Sequence, residues 1–204
     1  MSEPIIHGLF PTPITFSNID REFTQNEKDF FDEMSKTKVK NMGNVASADN
    51  YLMKHDVMKD IHARILQAIN HYMDEIVKPK SDVTPYVTQA WLNYTKPGQY
   101  HHKHQHPNSF LSGVLYINAD GDKDKITFFN ETYEQIKLDR KDWNWYNSRS
   151  WYFNIKTADI VIFPSSLTHM VEQTVSDDTR VSLAFNTFLK GNIGNNFELT
   201  ELVN

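Results

Sequence analysis

The 204-residue chain contains no cysteine. This absence excludes a disulfide framework and any metal site with thiolate ligands, and it suits a reducing compartment, so a cytoplasmic protein is expected. The N-terminal sequence lacks the basic stretch and long apolar run of a signal peptide, and no apolar run approaches membrane-spanning length. Basic residues are too few for a phosphate-binding surface, since 26 acidic residues outnumber 21 Lys and Arg. The composition therefore argues against a membrane protein and against a nucleic-acid partner.

The spacing of apolar residues differs between the N-terminal and C-terminal parts of the chain. Residues 1–204 fit one domain, which is large enough to bury an apolar core without covalent support. Helical patterns dominate about residues 21–79, and β-rich runs dominate about residues 85–190. Thr24 followed by Glu27 forms a capping box, which predicts the start of the first helix.

A second helix is predicted between residues 56 and 77. Apolar residues recur there at spacings of three and four, which is the pattern of a helix with one buried face. They are Val57, Ile61, Ile65, Ile69, Met73 and Ile76. Pro79 cannot continue a helix, so the helix is expected to end before it.

The second part of the chain consists of short runs rich in β-branched and aromatic residues. Six strands are predicted, at residues 86–94, 110–118, 125–130, 150–155, 159–164 and 179–189. Turn residues separate them, including Pro97-Gly98 and Asp120-Gly121. Several short strands after two helices predict a mainly β protein, a barrel or jelly roll with N-terminal helices on one outer face.

Four of the nine histidines lie within residues 101–106. In an extended segment alternate side chains share a face, so His102, His104 and His106 should point one way and His101 the other. Neighbours on that face are about 6.5 Å apart at Cα, close enough for two imidazoles to bind one ion. The pair is then His102 with His104 or His104 with His106, and spacing does not choose between them. The alternative is a polar loop whose histidines only bond water or neighbouring groups.

A third ligand and an anion-binding residue lie further along the chain. His169 follows a predicted strand in the same β region, and three histidine nitrogens with open positions suit Fe(II) or Zn(II). Arg180 and Ser182 should share one face of the next strand, where a guanidinium beside a hydroxyl can bind a carboxylate. The alternative is a surface arginine paired with Asp177 or Asp178.

Together these residues resemble a family of 2-oxoglutarate- and Fe(II)-dependent oxygenases, a branch of the double-stranded β-helix (jelly-roll) superfamily met in marine bacteria and phages. The likeness covers nearly the whole chain and is carried by blocks that are specific in combination. They are Leu9–Pro13, Trp91–Asn93 with Pro97-Gly98, His104–Pro107, Leu111–Tyr116, Asp159–Ser165 with His169, and Arg180–Asn186.

The resemblance implies a function and a set of site residues. His104, His106 and His169 would bind Fe(II), and Arg180 with Ser182 would bind the far carboxylate of the co-substrate 2-oxoglutarate. The reaction would hydroxylate an unidentified substrate and release succinate and CO2. His106 stands where the wider superfamily usually has a carboxylate, which leaves the metal centre more cationic.

Other residues are given less defined roles. Asn93, Tyr116 and Asn186 are either pocket-lining residues or ordinary barrel residues. The loop 132–150 contains several aromatic residues, including Trp145. It is expected to cover a small-molecule or peptide substrate or to form a homodimer contact; the alternative is that its rings pack over the barrel end. The alternative functions are a cupin-like zinc or iron metalloenzyme without 2-oxoglutarate and a non-catalytic β-barrel binding protein.

Overall fold

The computed structural model describes residues 3–132 and 136–204, and its strands form two sheets. The strands are β1 (Thr15–Asn18), β2 (Lys38–Lys40), β3 (Val45–Ser47), β4 (Val83–Thr95), β5 (His101–His104), β6 (Leu111–Asn118), β7 (Lys125–Phe129), β8 (Ser150–Asn154), β9 (Asp159–Pro164), β10 (His169–Val171), β11 (Arg180–Ile193) and β12 (Leu202–Val203). All six strands predicted from the sequence are present, with ends displaced by a few residues.

The larger sheet has the strand order β1-β9-β6-β11-β4-β3-β2, with β12 paired to β11, and the smaller has the order β5-β10-β7-β8. Every pairing between these strands is antiparallel. Strands that follow one another in sequence are distributed over both sheets, as in a jelly roll. The mainly β jelly-roll fold with flanking N-terminal helices is therefore confirmed.

Two helices support the larger sheet. Helix α1 (Gln25–Met34) begins at the predicted capping box, in which the backbone N–H of Glu27 donates to Thr24 and the N–H of Thr24 donates to Glu27. Helix α2 (Lys59–Tyr72) follows two 3₁₀ turns (Leu52–Lys54 and Asp56–Met58) and continues into a π-helical turn, Met73–Val77.

The predicted apolar face of α2 is buried over most of its length, at Ile61, Ile65, Ile69 and Met73. Ile76 is the exception, because it lies in the π-helical turn, where the wider winding rotates it to 39% exposure. Lys78 then adopts a left-handed conformation with φ of 48°, which ends the helix before Pro79.

The larger sheet has apolar residues on both faces, and each face belongs to a different core. The first core joins the helices to the sheet, with Ile61 and Ile65 of α2 packed with Leu92 and Leu183. The second, smaller core includes Phe128 and Phe163, one from each sheet, and so fills the space between the sheets. The helices therefore fix one face of the larger sheet, and the space between the sheets is left for a site.

The prediction that residues 21–79 are helical was wrong in one place. Residues 38–47 contain the hairpin β2–β3, and β3 pairs with β4 to widen the larger sheet. No helix among residues 3–132 and 136–204 is long and apolar enough to cross a membrane.

Candidate metal centre

Three histidines converge between the ends of two neighbouring strands of the smaller sheet. His104 on β5 and His169 on β10 are directly opposite each other in the antiparallel pair, and their ring centroids are 4.4 Å apart. His106 follows the end of β5, where its backbone N–H donates to the Ser165 carbonyl at 3.0 Å. One ring nitrogen from each histidine lies within 4.8 Å of the others, and Nε2 of His106 is 3.3 Å from Nε2 of His169. This spacing suits three ligands of one ion.

Hydrogen bonds to the second ring nitrogen orient these side chains. Nδ1–H of His104 donates to the His102 carbonyl at 2.7 Å, and Nδ1–H of His169 donates to the Leu167 carbonyl at 3.0 Å. Each bond leaves the Nε2 lone pair free, which is the tautomer that a metal requires. His106 is hydrogen-bonded to the Asn186 side chain, whose Oδ1 also accepts from the Ser112 hydroxyl at 2.9 Å. Asn186 therefore orients a histidine of the cluster.

Burial keeps the three histidines neutral. Desolvation, reinforced by the neighbouring histidine His104, lowers the pKa of His106 to about 4. Burial likewise lowers the pKa of His104, and it lowers the pKa of His169 well below its ordinary value. At neutral pH all three rings therefore offer lone pairs without first losing a proton.

The prediction that His101 points away from His104 was wrong. Its ring stacks on that of His104, with centroids 4.6 Å apart and planes inclined by 17°. The reason is an extra residue in β5 between its pairings with Val171 and His169, which forms a β-bulge. The bulge interrupts the alternation of side chains along β5. His101 and His104, which are three positions apart, therefore lie on the same side of the strand.

Arg180 is buried within the jelly roll and does not form the surface ion pair considered from the sequence. Its Nη2 donates to Thr95 Oγ1 at 3.2 Å, and its Nη1 lies 3.9 Å from Asp124 Oδ1, with both charged side chains 2% exposed. Burial lowers the pKa of Arg180, while Tyr116 and Asp124 oppose that shift. Asp177, one of the surface partners considered, pairs instead with Lys123 at 3.0 Å.

The other residues predicted to bind the co-substrate lie in one row across three strands. Ser182 on β11 is directly opposite Asn93 on β4 and Tyr116 on β6, and Arg180 is two residues away along β11. All four side chains are buried. The row therefore forms a polar surface within an otherwise apolar interior.

Three buried atoms of this polar row have no hydrogen-bond partner among the described residues. They are Nε of Arg180, the hydroxyl of Tyr116 and Oδ1 of Asn93. Burial raises the pKa of Tyr116, so its hydroxyl remains a donor. Buried polar groups without partners are costly, and a guanidinium with a free N–H beside a phenol is complementary to a carboxylate. The residues present thus fit an anionic ligand that satisfies these donors.

Residues 89–186 match the model of a family described as "Putative 2OG-Fe(II) oxygenase". This segment, which makes up just under half of the chain, is therefore similar to that family. The segment contains the three converging histidines, Arg180, and the row formed by Asn93, Ser182 and Tyr116. No curated protein matches the chain in sequence closely enough to be counted as a relative.

Solved structures resemble this chain in fold. An oxidoreductase of the 2OG-Fe(II) oxygenase family from Burkholderia pseudomallei has a TM-score of 0.54 at 8% identity, over 80% of this chain and 78% of its own. HygX from Streptomyces hygroscopicus, solved with nickel, 2-oxoglutarate and hygromycin B, has a TM-score of 0.56 at 11% identity over 86% and 82%. The α-ketoglutarate-dependent epimerase SnoN from nogalamycin biosynthesis has a TM-score of 0.59 at 10% identity over 87% and 78%.

A cleft of about 790 Å³ is lined by sequence neighbours of the three histidines, although none of the three histidines lines it. Gln105 and Thr168, which adjoin the three histidines in sequence, line it and are joined by a hydrogen bond of 2.7 Å. Trp145, 66% exposed, stacks on Trp151 at 4.4 Å between centroids, and both residues line the cleft. Part of the aromatic loop thus lies at the cleft, although residues 133–135 of that loop are outside the described residues.

Two contacts of the site could not be found by sequence reasoning. Asp124 precedes β7 in a run that has only the features of a turn, yet it lies beside Arg180. Thr95 is at the end of β4, and its role depends on the register between β4 and β11. Asn186 was named from the sequence but not distinguished from an ordinary barrel residue.

Proposed function

We propose that the protein is an Fe(II)- and 2-oxoglutarate-dependent oxygenase that hydroxylates a small molecule or peptide and releases succinate and CO2. The strongest support is that two features occur together in one segment of the chain. A cluster of neutral histidine nitrogens and a buried arginine with an unpaired N–H occur together in a segment that matches the model of an oxygenase family. A buried cation without full pairing is costly unless an anion binds to it.

In this proposal His104, His106 and His169 hold the metal ion. Three nitrogen donors leave coordination positions for a chelating co-substrate and for oxygen. Bound Fe(II) would supply the oxidative decarboxylation and hydroxylation chemistry that no side chain of the protein can perform. The protein's own task is to fix the rings, which the bonds from His104 to the His102 carbonyl and from His169 to the Leu167 carbonyl accomplish.

Arg180 and Tyr116 bind the far carboxylate of 2-oxoglutarate in the same proposal. Both have a donor without a partner, at Nε and at the hydroxyl respectively. Ser182 and Asn93 complete the polar surface between them. The anion would neutralise a guanidinium that the fold has already desolvated, so binding energy is directed to one carboxylate position.

The substrate enters, we propose, through the cleft lined by Trp145 and Trp151. Water is restricted on the inner side, where Phe163 lies 4.6 Å and Phe128 6.1 Å from the ring of His169. Such apolar walls strengthen polar interactions inside the site and limit side reactions. We propose a homodimer contact through the exposed aromatic residues as a second use of the same loop. We also propose a cytoplasmic location, which the lack of cysteine supports.

A zinc enzyme without 2-oxoglutarate is the second candidate, because the donor set contains only histidine nitrogen. One experiment separates the two. The metal-free protein is titrated with Fe(II) and then with 2-oxoglutarate by anaerobic calorimetry, and succinate is measured after oxygen is admitted. We expect 2-oxoglutarate to bind only with metal present and succinate to form. Absence of 2-oxoglutarate binding in the wild-type protein would refute the proposal.

A further inference from the structure

A second set of three histidines adjoins the proposed metal centre. One ring nitrogen each of His101, His102 and His104 also lies within 4.8 Å of the others. Their ring centroids are 4.6 to 5.2 Å apart. The β-bulge in β5 is the cause, because it brings His101 onto the side of His104. The chain therefore presents two overlapping groups of metal-binding residues that share His104.

His101 and His102 are not fully used by the rest of the protein. Nδ1 of His102 is buried and has no hydrogen-bond partner among the described residues. Nε2 of His101 has a long contact of 3.4 Å with the Asn41 side chain. A buried ring nitrogen without a partner is costly in a folded protein, and coordination to an ion removes that cost.

We propose that His101, His102 and His104 form an alternative position for a divalent transition-metal ion. We call it the outer position, and we call the His104–His106–His169 set the inner position. His104 has only one free lone pair, because its Nδ1–H is committed to the His102 carbonyl. The two positions therefore exclude each other, and an ion in the outer position takes a ligand from the inner one.

Both positions offer only imidazole nitrogens, so Co(II), Ni(II) and Zn(II) suit the outer position as well as the inner one. When such an ion occupies the outer position, the inner position keeps only His106 and His169. The inference goes beyond the proposed oxygenase function, because it concerns metal binding alone, although both positions need His104. Excess Co(II), Ni(II) or Zn(II) should accordingly compete with the use of the inner position.

The experiment is an anaerobic titration of the metal-free full-length protein with Co(II), without 2-oxoglutarate. Calorimetry gives the affinity and stoichiometry, and visible absorption reports the ligand geometry. His169→Gln closes the inner position, His102→Gln closes the outer one, and His104→Gln closes both. His71→Gln is the control, because His71 is exposed on α2. Glutamine keeps much of the size of histidine, and a thermal melt verifies that each variant folds.

We expect His169→Gln and His102→Gln each to retain one Co(II), with different absorption spectra and affinities within about 10-fold of the wild type. The double variant His102→Gln/His169→Gln and the single variant His104→Gln should each lose about 100-fold or more in affinity. Wild-type protein should bind one Co(II), not two.

Other results would contradict either the outer position or the ligand set of the proposed oxygenase. If the double variant binds Co(II) no more weakly than His169→Gln alone, or if His169→Gln abolishes binding, the outer position does not exist. The second of these results would leave the proposed inner centre intact. If His102→Gln abolishes binding and His169→Gln has no effect, the outer position stands and the ligand set of the proposed oxygenase fails.

Discussion

Replacing Asp124 with asparagine tests whether the buried guanidinium of Arg180 binds an anionic ligand. The two side chains are 3.9 Å apart and each is 2% exposed. At that separation two unit charges attract by about 4 kcal/mol with an effective dielectric constant of about 20. Breaking a buried pair from one side costs about 3–5 kcal/mol, because the remaining charge stays desolvated. We therefore expect Asp124→Asn to lower the free energy of unfolding by about 3 kcal/mol in the absence of ligand.

The co-substrate should reverse much of this loss. A carboxylate beside Arg180 supplies a new counter-charge, and Asp124→Asn also removes a nearby negative charge that repels it. We expect 2-oxoglutarate to bind the Fe(II)-loaded variant about 10-fold more tightly than the wild type, which corresponds to about 1.4 kcal/mol. At 100 times its Kd the ligand should raise the unfolding free energy by about 2.7 kcal/mol. Urea unfolding with and without ligand, together with anaerobic calorimetry, measures both effects.

Asp177→Asn is the matched control, since Asp177 is 94% exposed and its pair with Lys123 lies at the surface. It should change stability by less than about 0.5 kcal/mol and leave 2-oxoglutarate binding unchanged. Unaltered or weaker 2-oxoglutarate binding by Asp124→Asn would refute the reasoning. The double variant Arg180→Met/Asp124→Leu should fold better than Arg180→Met alone, because neither charge is left unpaired, and it should not bind 2-oxoglutarate.

Three further outcomes are expected. In the metal-free protein the folded-state pKa of His106, about 4, lies below its ordinary value of 6.5. Its contribution is therefore lost as the pH falls from about 6.5 towards 4, and urea unfolding at about pH 5 should show a loss of about 2 kcal/mol from this group. Gly113→Ala should destabilise by about 1–3 kcal/mol, because a Cβ there would clash with the Phe185 ring and lie 2.8 Å from the Val161 carbonyl oxygen, and a fall in Tm would report it. Thr24→Ala removes the helix cap and should cost about 1 kcal/mol in thermal or urea unfolding, whereas Thr24→Ser should cost little.

The strands that the sequence predicted correctly share a physical property. Each has enough β-branched and aromatic residues to fill one or two apolar faces, as in β6 and β9, whose residues are largely buried. The missed hairpin lacks that signal, because Lys38–Lys40 is exposed throughout and has no buried face to impose a period. Short strands at the edge of a sheet are held by pairing with a neighbour, which a local pattern does not contain.

The contacts of the site that the sequence did not predict also depend on pairing between distant segments. The approach of His104 and His169 is a matter of register between β5 and β10, and the stacking of His101 on His104 depends on one extra residue in that pairing. Neither is visible in a run of histidines. Asp177 and Asp178 were considered as partners of Arg180 because they are near in sequence, whereas Asp124 is near only in space.

Asp124 also bears on the absence of a carboxylate among the proposed metal ligands. With three neutral histidines, the positive charges of Fe(II) and Arg180 amount to three, while 2-oxoglutarate supplies only two negative charges. A net positive charge within a buried site would be costly. Asp124 supplies the third negative charge beside Arg180, and it is not among the residues that converge with the histidines. In the proposed complex the charges therefore balance even though all three proposed metal ligands are histidines. The Asp124 carboxylate partly neutralises Arg180 before the co-substrate binds. Asp124→Asn should therefore bind 2-oxoglutarate more tightly, and the unliganded variant should be less stable than the wild type.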